Sequence, residues 1–299
     1  MAGGKIDFFL LGDLNDIDKC IKWCQDMGLL GKYYICPVCK GQMKWTSRAD
    51  VQDKYTWRCR DKTHDMRRSI RTGTWFSNSH LSLIKILWLT HLWCSDVAST
   101  VIEHNIGVCH STIVDWKSFC REVCVNLCDN NDKLGGIGSI VEIDESKFGK
   151  RKYNRGRFVD GKWVFGGIQR GTDKCFFKVV DKRDKETLLT IIKEKILPGT
   201  TIISDCWKSY DCLESEGFQH LTVNHSINFR DPETGAHTNA IEGTWGAIKR
   251  KLTARNCTDQ FDAYLAEYVW RRQQKHSVSD MTSSFFEVVA RLYKPQTED

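Results

Sequence analysis

The sequence predicts an α/β domain with a mixed sheet, which follows a small metal-bound ribbon and an all-helical segment. Three observations lead to this prediction. Paired cysteine and histidine residues occur first, a helical pattern broken by a glycine turn comes next, and strands then alternate with helices. The predicted boundaries are an N-terminal helical segment at 1–32, the ribbon at 33–76, a helical domain at 77–130, the α/β domain at 138–256 and a helical extension at 257–299.

The composition is that of a globular protein with a mild excess of positive charge. The 299 residues carry a net charge of +6, and 41% of them are hydrophobic. No window approaches the ~18 apolar residues that a membrane span needs, so we expect an intracellular protein without a membrane partner. Ten Lys/Arg and four Asp lie between Lys40 and Arg71. Such clusters suit a polyanion such as nucleic acid, although each is alternatively a solvated surface.

Cys36, Cys39, Cys59 and His64 have the spacing of a structural zinc site. A Cys-x2-Cys pair is separated by 19 residues from a Cys-x4-His pair. Tetrahedral Zn²⁺ takes four such ligands, and two short-spaced pairs on adjacent hairpins supply them. A ribbon this small could not bury enough apolar surface to fold without metal. His64 is alternatively a surface histidine, which leaves the fourth ligand open.

From Leu81 the pattern turns helical and predicts a helix-turn-helix. The stretch "LSLIKILWLTHLW" forms the first helix, and two further helical stretches are separated by a short turn that contains Gly107. A helix, a tight glycine turn and a second helix form the architecture of many DNA-binding domains. Any three-helix bundle has a similar pattern, so a purely structural role stays open.

Beyond the linker "NDKLGGIGS", the element order is β-β-β-α-β-α-β-α. "SIVEIDESKFG", "KWVFGGIQRG" and "KCFFKVVDK" predict three antiparallel strands, and "DKETLLTIIKEKILPG" predicts an amphipathic helix ended by Pro-Gly. "TTIISDCW" predicts a buried strand, followed by a short helix, another strand and a last helix that begins near Asn239. This order gives a mixed sheet.

Three carboxylates occupy matching places in that order. Asp144 lies in the first strand, Asp205 ends the fourth strand, and Glu242 lies in the first turn of the last helix. If the two strands are neighbours and the helix packs across them, the three acids converge. Carboxylates that are close together and partly buried are costly without a cation. Mg²⁺ and Mn²⁺ prefer such oxygen ligands, and two ions ~4 Å apart catalyse phosphoryl transfer.

Each acid has an alternative interpretation. Glu142 lies on the same strand face as Asp144 and could be the ligand instead, since side chains alternate along a strand. Asp205 could cap a helix that starts at Trp207. Glu242 could close a capping box with Asn239.

The residues around these acids resemble a known family. "VEIDESKFGKRKYNRGR", "WVFGGIQR", "TTIISDCWKSY" and "VNHSINFRDPETGAHTNAIEGTWGAIKRKL" resemble the transposases of Merlin-type DNA transposons and their bacterial insertion-sequence relatives. "CPVC", "SIRTGTWF" and the helix-turn-helix resemble the N-terminal half of that family. The resemblance implies an RNase H-like catalytic domain whose DDE triad is Asp144, Asp205 and Glu242, with two Mg²⁺ or Mn²⁺ ions per active site.

The resemblance also implies a substrate and partners. The "HTN" motif places His237 and Asn239 near the reacting phosphate, although a loop-packing role for His237 stays open. Double-stranded DNA is the expected partner, at both the terminal inverted repeats and the target. A homodimer or larger oligomer is expected because two ends are cut together. A nuclear location is expected for a eukaryotic host, and a cytoplasmic one otherwise. The expected DNA contacts are Lys147, Lys150, Arg151, Lys152, Arg155, Arg157, Lys249, Arg250 and Lys251.

These expectations define a cut-and-paste DNA transposase that cleaves strands at its element ends and transfers them. The alternative is a domesticated regulator that binds DNA through its N-terminal half and no longer cuts. The intact triad favours the enzyme.

Overall fold

The computed structural model divides the chain into two compact units. One unit comprises Met1–Val123 together with Ser277–Asp299, and the other comprises Cys124–His276. The structure describes residues 12–61, 63–130, 132–149, 161–205, 210–223, 236–252, 259–274 and 281–295.

The described part of the first unit includes a helix and a three-stranded antiparallel sheet. Helix α1 spans Ile17–Asp26, and the carboxylate of Asp16 caps it by accepting from the backbone N–H groups of Asp18 and Lys19. The strands are β1 (Lys44–Ser47), β2 (Tyr55–Arg58) and β3 (Arg67–Ser69), with β2 in the middle. This hairpin arrangement agrees with the strand predicted at "KYTWRC".

Three helices follow the sheet, as the periodicity predicts. They are α2 (Leu83–Cys94), α3 (Ser99–Ile106) and α4 (His110–Asp129). Gly107 ends α3 with a φ of 63°, a left-handed conformation that glycine adopts without steric cost. The predicted turn therefore forms between the second and third helix, while a role in DNA recognition stays a prediction.

The C-terminal helix completes this first unit. Helix α8 spans Met281–Leu292 and buries Phe285 and Phe286 completely. Phe285 packs edge-on against Trp93 at a centroid distance of 5.2 Å, and Phe286 packs against Trp23 at 5.7 Å. The end of the chain thus belongs to the core that the N-terminal helices form.

The second unit is built on a five-stranded sheet in the order β10-β9-β5-β6-β7. Its strands are β5 (Ile140–Lys147), β6 (Trp163–Gln169), β7 (Cys175–Val180), β9 (Thr201–Asp205) and β10 (Gln219–Val223). The first three pair antiparallel, whereas β9 pairs parallel to both β5 and β10. The predicted mixed α/β fold is therefore confirmed.

Helices cover both faces of this sheet. Helix α5 (Lys185–Lys195) packs on the face that buries Val141 and Ile143, while α6 (Asn239–Leu252) and α7 (Phe261–Gln274) pack on the other face. Successive strand residues point to opposite faces, so Glu142 and Asp144 face α6. The short helix predicted after β9 is a 3₁₀ turn at Glu214–Glu216.

The predicted linker differs from the structure in one respect. Part of it forms β4 (Leu134–Gly135), which pairs parallel with β8 (Ile196–Leu197). Gly135 has a φ of +84°, and a Cβ atom there would lie 2.2 Å from Thr200 Oγ1. Gly135 therefore permits the close approach of the Thr200 side chain to this segment.

Within the described ranges, the helices are too short or too polar for any of them to cross a membrane.

Candidate functional site

The structure brings the four predicted ribbon residues together. Ligand atoms of Cys36, Cys39, Cys59 and His64 all lie within 4.8 Å of one another. Cys36 Sγ is 3.3 Å from His64 Nε2, and Cys39 Sγ is 3.4 Å from Cys59 Sγ. Sulfur ligands ~2.3 Å from a tetrahedral Zn²⁺ would be roughly 3.8 Å apart. The set has the residue types and the approximate spacing of a closed metal site, and His64 is placed as its fourth member.

Local hydrogen bonds fold each half of this site. The backbone N–H of Cys36 donates to Gly41 O at 2.9 Å, and that of Lys40 donates to Cys36 O at 2.9 Å. Lys40 takes a positive φ of 56° to complete the turn. In the second half, the backbone N–H of Cys59 donates to Met66 O at 2.8 Å.

The pKa values of two ribbon thiols are shifted in opposite directions. Burial raises the pKa of the Cys36 thiol, but hydrogen bonds from the backbone N–H groups of Cys39 and Val38 and from the side chains of His64 and Cys59 lower it to about 6. Burial is also the main cause that raises the pKa of Cys59 to about 11. His64 Nδ1 lies 3.8 Å from a carboxylate oxygen of Asp61, the kind of partner that orients a metal-bound imidazole.

In the second unit, Asp144 and Asp205 lie on neighbouring parallel strands. The last paired residues of β5 and β9 are Glu142 and Ile203. Asp144 and Asp205 each follow two residues later, so they share one face of the sheet near the same end of both strands. The sequence-based prediction that these strands are neighbours is therefore correct.

Helix α6 carries Glu242 across that face. Trp245 on the same helix donates its Nε1–H to Asp144 Oδ2 at 2.9 Å, and the backbone N–H of Glu145 donates to Asp144 Oδ1 at 2.8 Å. Glu242 is exposed, and its Oε1 accepts from Thr238 Oγ1 at 2.7 Å. Thr238 thus contacts Glu242 from directly before the helix, while the capping box of Glu242 with Asn239 stays an alternative interpretation.

The charges of the neighbouring acids affect Asp144. Burial is the main cause that raises the pKa of Asp144 to about 6, and the negative charges of Asp205 and Glu242 add to it. The hydrogen bonds from Glu145 and Trp245 oppose this rise. Burial likewise raises the pKa of Glu145 to about 8, with further contributions from Asp144 and Asp205.

The donor set of this acidic site suits a hard divalent cation, although its oxygens are not gathered tightly. Within the described ranges, the ribbon is the only set of three or more such ligand atoms that all lie within 4.8 Å. Asp144, Asp205 and Glu242 therefore do not form such a tight set, although the charges of Asp205 and Glu242 act on Asp144. Carboxylates of this kind bind Mg²⁺ together with water and substrate phosphate, rather than in an all-protein cage.

Glu142 has partners other than the acidic site. Its side chain is fully buried, and Oε2 accepts from the backbone N–H groups of Ala240 and Ile241 at 2.9 and 3.0 Å. Arg170 donates Nε–H to Glu142 Oε1 at 2.6 Å. The alternative of Glu142 as a ligand in place of Asp144 therefore receives no support, since the Glu142 carboxylate is fully buried and already paired with the Arg170 guanidinium.

Arg170 and Trp245 were not singled out in the sequence. An arginine at the end of a strand and a tryptophan on an amphipathic helix are common, so composition alone does not mark them. The only available signal was Glu142 itself, because a buried glutamate needs a cationic or hydrogen-bonding partner from another element.

His237 and Asn239 frame the start of α6. Arg170 Nη2 contacts His237 Nδ1 at 3.0 Å and also donates to the His237 carbonyl. Asn239 is the exposed first residue of the helix. His237 is therefore placed beside the Glu142–Arg170 pair, and a contact of either residue with a reacting phosphate stays a prediction.

Four of the nine predicted DNA contacts lie in the described ranges. Lys147 ends β5, and Lys249, Arg250 and Lys251 form the exposed last turn of α6. Lys249 Nζ lies 5.5 Å from the centroid of the Phe148 ring, which brings it close to the end of β5. The remaining predicted contacts lie outside the described residues: Lys150, Arg151, Lys152, Arg155 and Arg157.

Comparison with known proteins identifies a matching family and a relative of this chain. The ISXO2-like transposase domain family matches residues 133–273. An uncharacterized transposase-like protein of Haemophilus influenzae is 36% identical over 100 residues, which cover 33% of this chain and 80% of that protein. The transposase part of the predicted resemblance is thereby confirmed, whereas the Merlin type stays a prediction.

Solved structures show only distant similarity. A chain of the simian T-cell lymphotropic virus intasome, in complex with PP2A regulatory subunit B56 gamma, is 13% identical, with a TM-score of 0.32 over 71% of this chain and 76% of that chain. The HTLV-2 integrase catalytic core domain, solved with magnesium, is 14% identical, with a TM-score of 0.29 over 50% of this chain and 99% of that chain. Similarity at these scores is too weak to define a fold.

Proposed function

Because this chain belongs to the ISXO2-like transposase family, we propose that it is a cut-and-paste DNA transposase with an RNase H-like catalytic domain. It binds the terminal inverted repeats of its element, cleaves the DNA strands there and transfers the freed 3′ ends to target DNA. Asp144, Asp205 and Glu242 form its active site.

One observation carries this proposal. Asp144 and Asp205 follow the paired part of two adjacent parallel strands at equal distance, and the helix that bears Glu242 crosses the same face. The element order β-β-β-α-β, with the fourth strand beside the first, supports the RNase H-like assignment. Three carboxylates on three elements could bind metal ions for phosphoryl transfer. In that reaction the protein mainly positions the reacting groups and stabilises charge, and it need not form a covalent bond itself.

The residues of the chain prepare this site for a divalent cation. Trp245 and the backbone N–H of Glu145 each occupy one oxygen of Asp144, which fixes the direction of that carboxylate. Thr238 restrains Glu242 in the same way. Two Mg²⁺ or Mn²⁺ ions bound there would activate the attacking oxygen and neutralise charge on the leaving oxygen.

Substrate DNA is held by the cations beside the acids and by the first unit. Lys147 and the α6 cations Lys249, Arg250 and Lys251 would contact the phosphate backbone, and each contact would add salt-dependent affinity. In support, all four are exposed, and Lys249 Nζ lies close to Phe148, the residue after Lys147. The ribbon holds a structural Zn²⁺ through Cys36, Cys39, Cys59 and His64. Together with helices α2–α4 it binds the inverted repeats, with the N-terminal half of α4 in the major groove.

The proposed reaction requires more than one copy of the protein. Two element ends are cut and joined together, so at least two active sites must act in one complex, which makes the protein a homodimer or a larger oligomer. In a eukaryotic host this assembly works in the nucleus.

A cleavage assay on DNA that carries the genomic flanks of this gene tests the proposal. Purified protein is incubated with Mg²⁺ or Mn²⁺, the breaks are mapped, and Glu242→Ala serves as the inactive control. We expect metal-dependent breaks at paired inverted repeats and none with the variant. Specific binding to the flanks without any break would instead support the non-cutting regulator.

A further inference from the structure

We propose that Glu142 and Arg170 are positioning residues, which fix the start of helix α6 and thereby the place of Glu242 for DNA cleavage. This inference rests on the proposed function, because it assigns a purpose to the contacts of Glu142 within that active site. Neither residue is expected to touch DNA or metal.

Glu142 joins the central strand to the first turn of α6. Its carboxylate is fully buried, and one oxygen accepts from the N–H groups of Ala240 and Ile241, the two residues directly before Glu242. These N–H groups have no partner within the helix, and the positive end of the helix dipole favours a negative charge there. The strand therefore supplies the N-terminal cap of the helix from a distant part of the sequence.

Arg170 fixes the segment that leads into the helix. Its Nε–H donates to Glu142 at 2.6 Å, and its Nη2 contacts both Nδ1 and the carbonyl oxygen of His237. The backbone N–H of Arg170 donates to Ile140 O at 2.9 Å, which anchors this residue to the same strand as Glu142. The guanidinium thus holds the approach to α6, while Glu142 holds its first turn.

The position of the Glu242 carboxylate depends on Glu142 and Arg170. Glu242 immediately follows Ile241, so a rotation or shift of the first turn moves its carboxylate directly. The Glu242 carboxylate also accepts a hydrogen bond from Thr238, which belongs to the same segment and moves with it. A buried ion pair is weak evidence for stability, since packed apolar side chains often do as well. A role in fixing the position of the first turn of α6 explains better why the Glu142–Arg170 pair lies at the start of that helix.

Three variants test the pair: Glu142→Gln, Arg170→Met and the double variant. We expect the rate of strand cleavage to fall roughly 10- to 100-fold in each, the loss typical when a group that orients a metal ligand is removed. Binding to the inverted repeats should stay unchanged, and the Mn²⁺ concentration for half-maximal rate should rise. The double variant should be no slower than the slower single variant, because both remove one shared network.

Two further measurements separate positioning from a general loss of stability. Hydrogen exchange of the peptide that spans 236–245 should accelerate in the variants, a result that requires no catalysis. Leu188→Ala is the matched control, because it removes buried volume on the opposite face of the sheet. Below its unfolding temperature it should keep the normal Mn²⁺ dependence. Arg170→Lys should restore part of the cleavage rate, since it keeps the charge and one donor.

The possible results lead to different conclusions. Normal cleavage and Mn²⁺ dependence in Arg170→Met would overturn the positioning role while leaving the proposed function intact. Loss of cleavage in Glu142→Gln alone would also overturn it, because Glu142 would then act as a metal ligand. Absence of cleavage by the wild-type protein would overturn the proposed function, and the positioning role with it.

Discussion

The two candidate metal centres of this chain are assembled in opposite ways. The ribbon takes its ligands from two short windows, Cys36 to Cys39 and Cys59 to His64, and their ligand atoms lie within 4.8 Å of one another. The acidic site takes Asp144, Asp205 and Glu242 from two strands and a helix, and protein hydrogen bonds hold the carboxylates of Asp144 and Glu242.

This difference corresponds to two different tasks. A structural site is closed and fully supplied by the protein, so its ligands can be gathered by local turns. A site for phosphoryl transfer must leave room for water and for phosphate oxygens, so its ligands need support from distant elements. Loss of a ligand should therefore unfold the structural site. Loss of a ligand from the acidic site should reduce activity while the fold persists.

The largest expected effect is the loss of the ribbon metal. Cys59→Ser, or removal of zinc by a chelator, should unfold the ribbon, since zinc binding contributes roughly 10 kcal/mol or more to the folding of comparable peptides. Zinc content by plasma mass spectrometry and thermal unfolding measure the effect. Cys109→Ser is the matched control, because Cys109 is an exposed thiol that contacts only Ser111 and Thr112 among the described residues. A Cys59→Ser protein with one zinc ion and normal unfolding would contradict the assignment.

A second variant separates local from global support of the ribbon. Phe286→Ala removes a fully buried ring of α8 and should destabilise the first unit by about 3–5 kcal/mol. The zinc content of the folded protein should nevertheless stay at one per chain, because both ligand windows are local. Leu292→Ala on the same helix is the control, since that residue is 36% exposed. Loss of zinc from folded Phe286→Ala protein would show that the ribbon depends on the helices.

A smaller effect is expected at the support of the acidic site. Trp245→Phe keeps an aromatic ring in the core but removes the hydrogen bond to Asp144, which should cost about 1–3 kcal/mol in stability for a bond to a charged group. Cleavage should slow without a change in end binding. Val164→Ala is the control, because it removes buried volume from the same core without removing a hydrogen bond to Asp144. Equal cleavage rates in Trp245→Phe and wild type would argue against oriented support of Asp144.

The smallest change is predicted to affect stability and activity in opposite directions. A Cβ atom on Gly243 would point into open space beside Glu242, so Gly243→Ala should stabilise α6 by about 0.5–1 kcal/mol. If DNA passes over this exposed face, the added methyl group should slow cleavage. Thr190→Ala on α5 is the control for a gain in helix propensity away from the site. Faster or unchanged cleavage by Gly243→Ala would indicate that DNA does not pass over this face of α6.

The sequence predicted the parts of both sites that depend on local spacing. The spacing of cysteine and histidine residues predicts the ribbon site. The positions of Asp144 and Asp205 on two strands that are expected to be neighbours predict that these two acids lie close together. The burial of Glu142 under α6 was not predicted, because its partners Arg170 and Ala240 are far away in sequence. The return of α8 to the first unit was missed for the same reason, since its amphipathic pattern fits any apolar surface.

The measurement that tests the central claim most directly asks whether Asp205 binds the catalytic cation. Cleavage by Asp205→Cys is compared in Mg²⁺ and in Mn²⁺, with Asp211→Cys as an exposed control nearby. A thiolate binds the softer Mn²⁺ better than the hard Mg²⁺, so we predict no cleavage in Mg²⁺ and measurable recovery in Mn²⁺. Cleavage by Asp205→Cys at the wild-type rate in Mg²⁺ would contradict the assignment of Asp205 as a metal ligand.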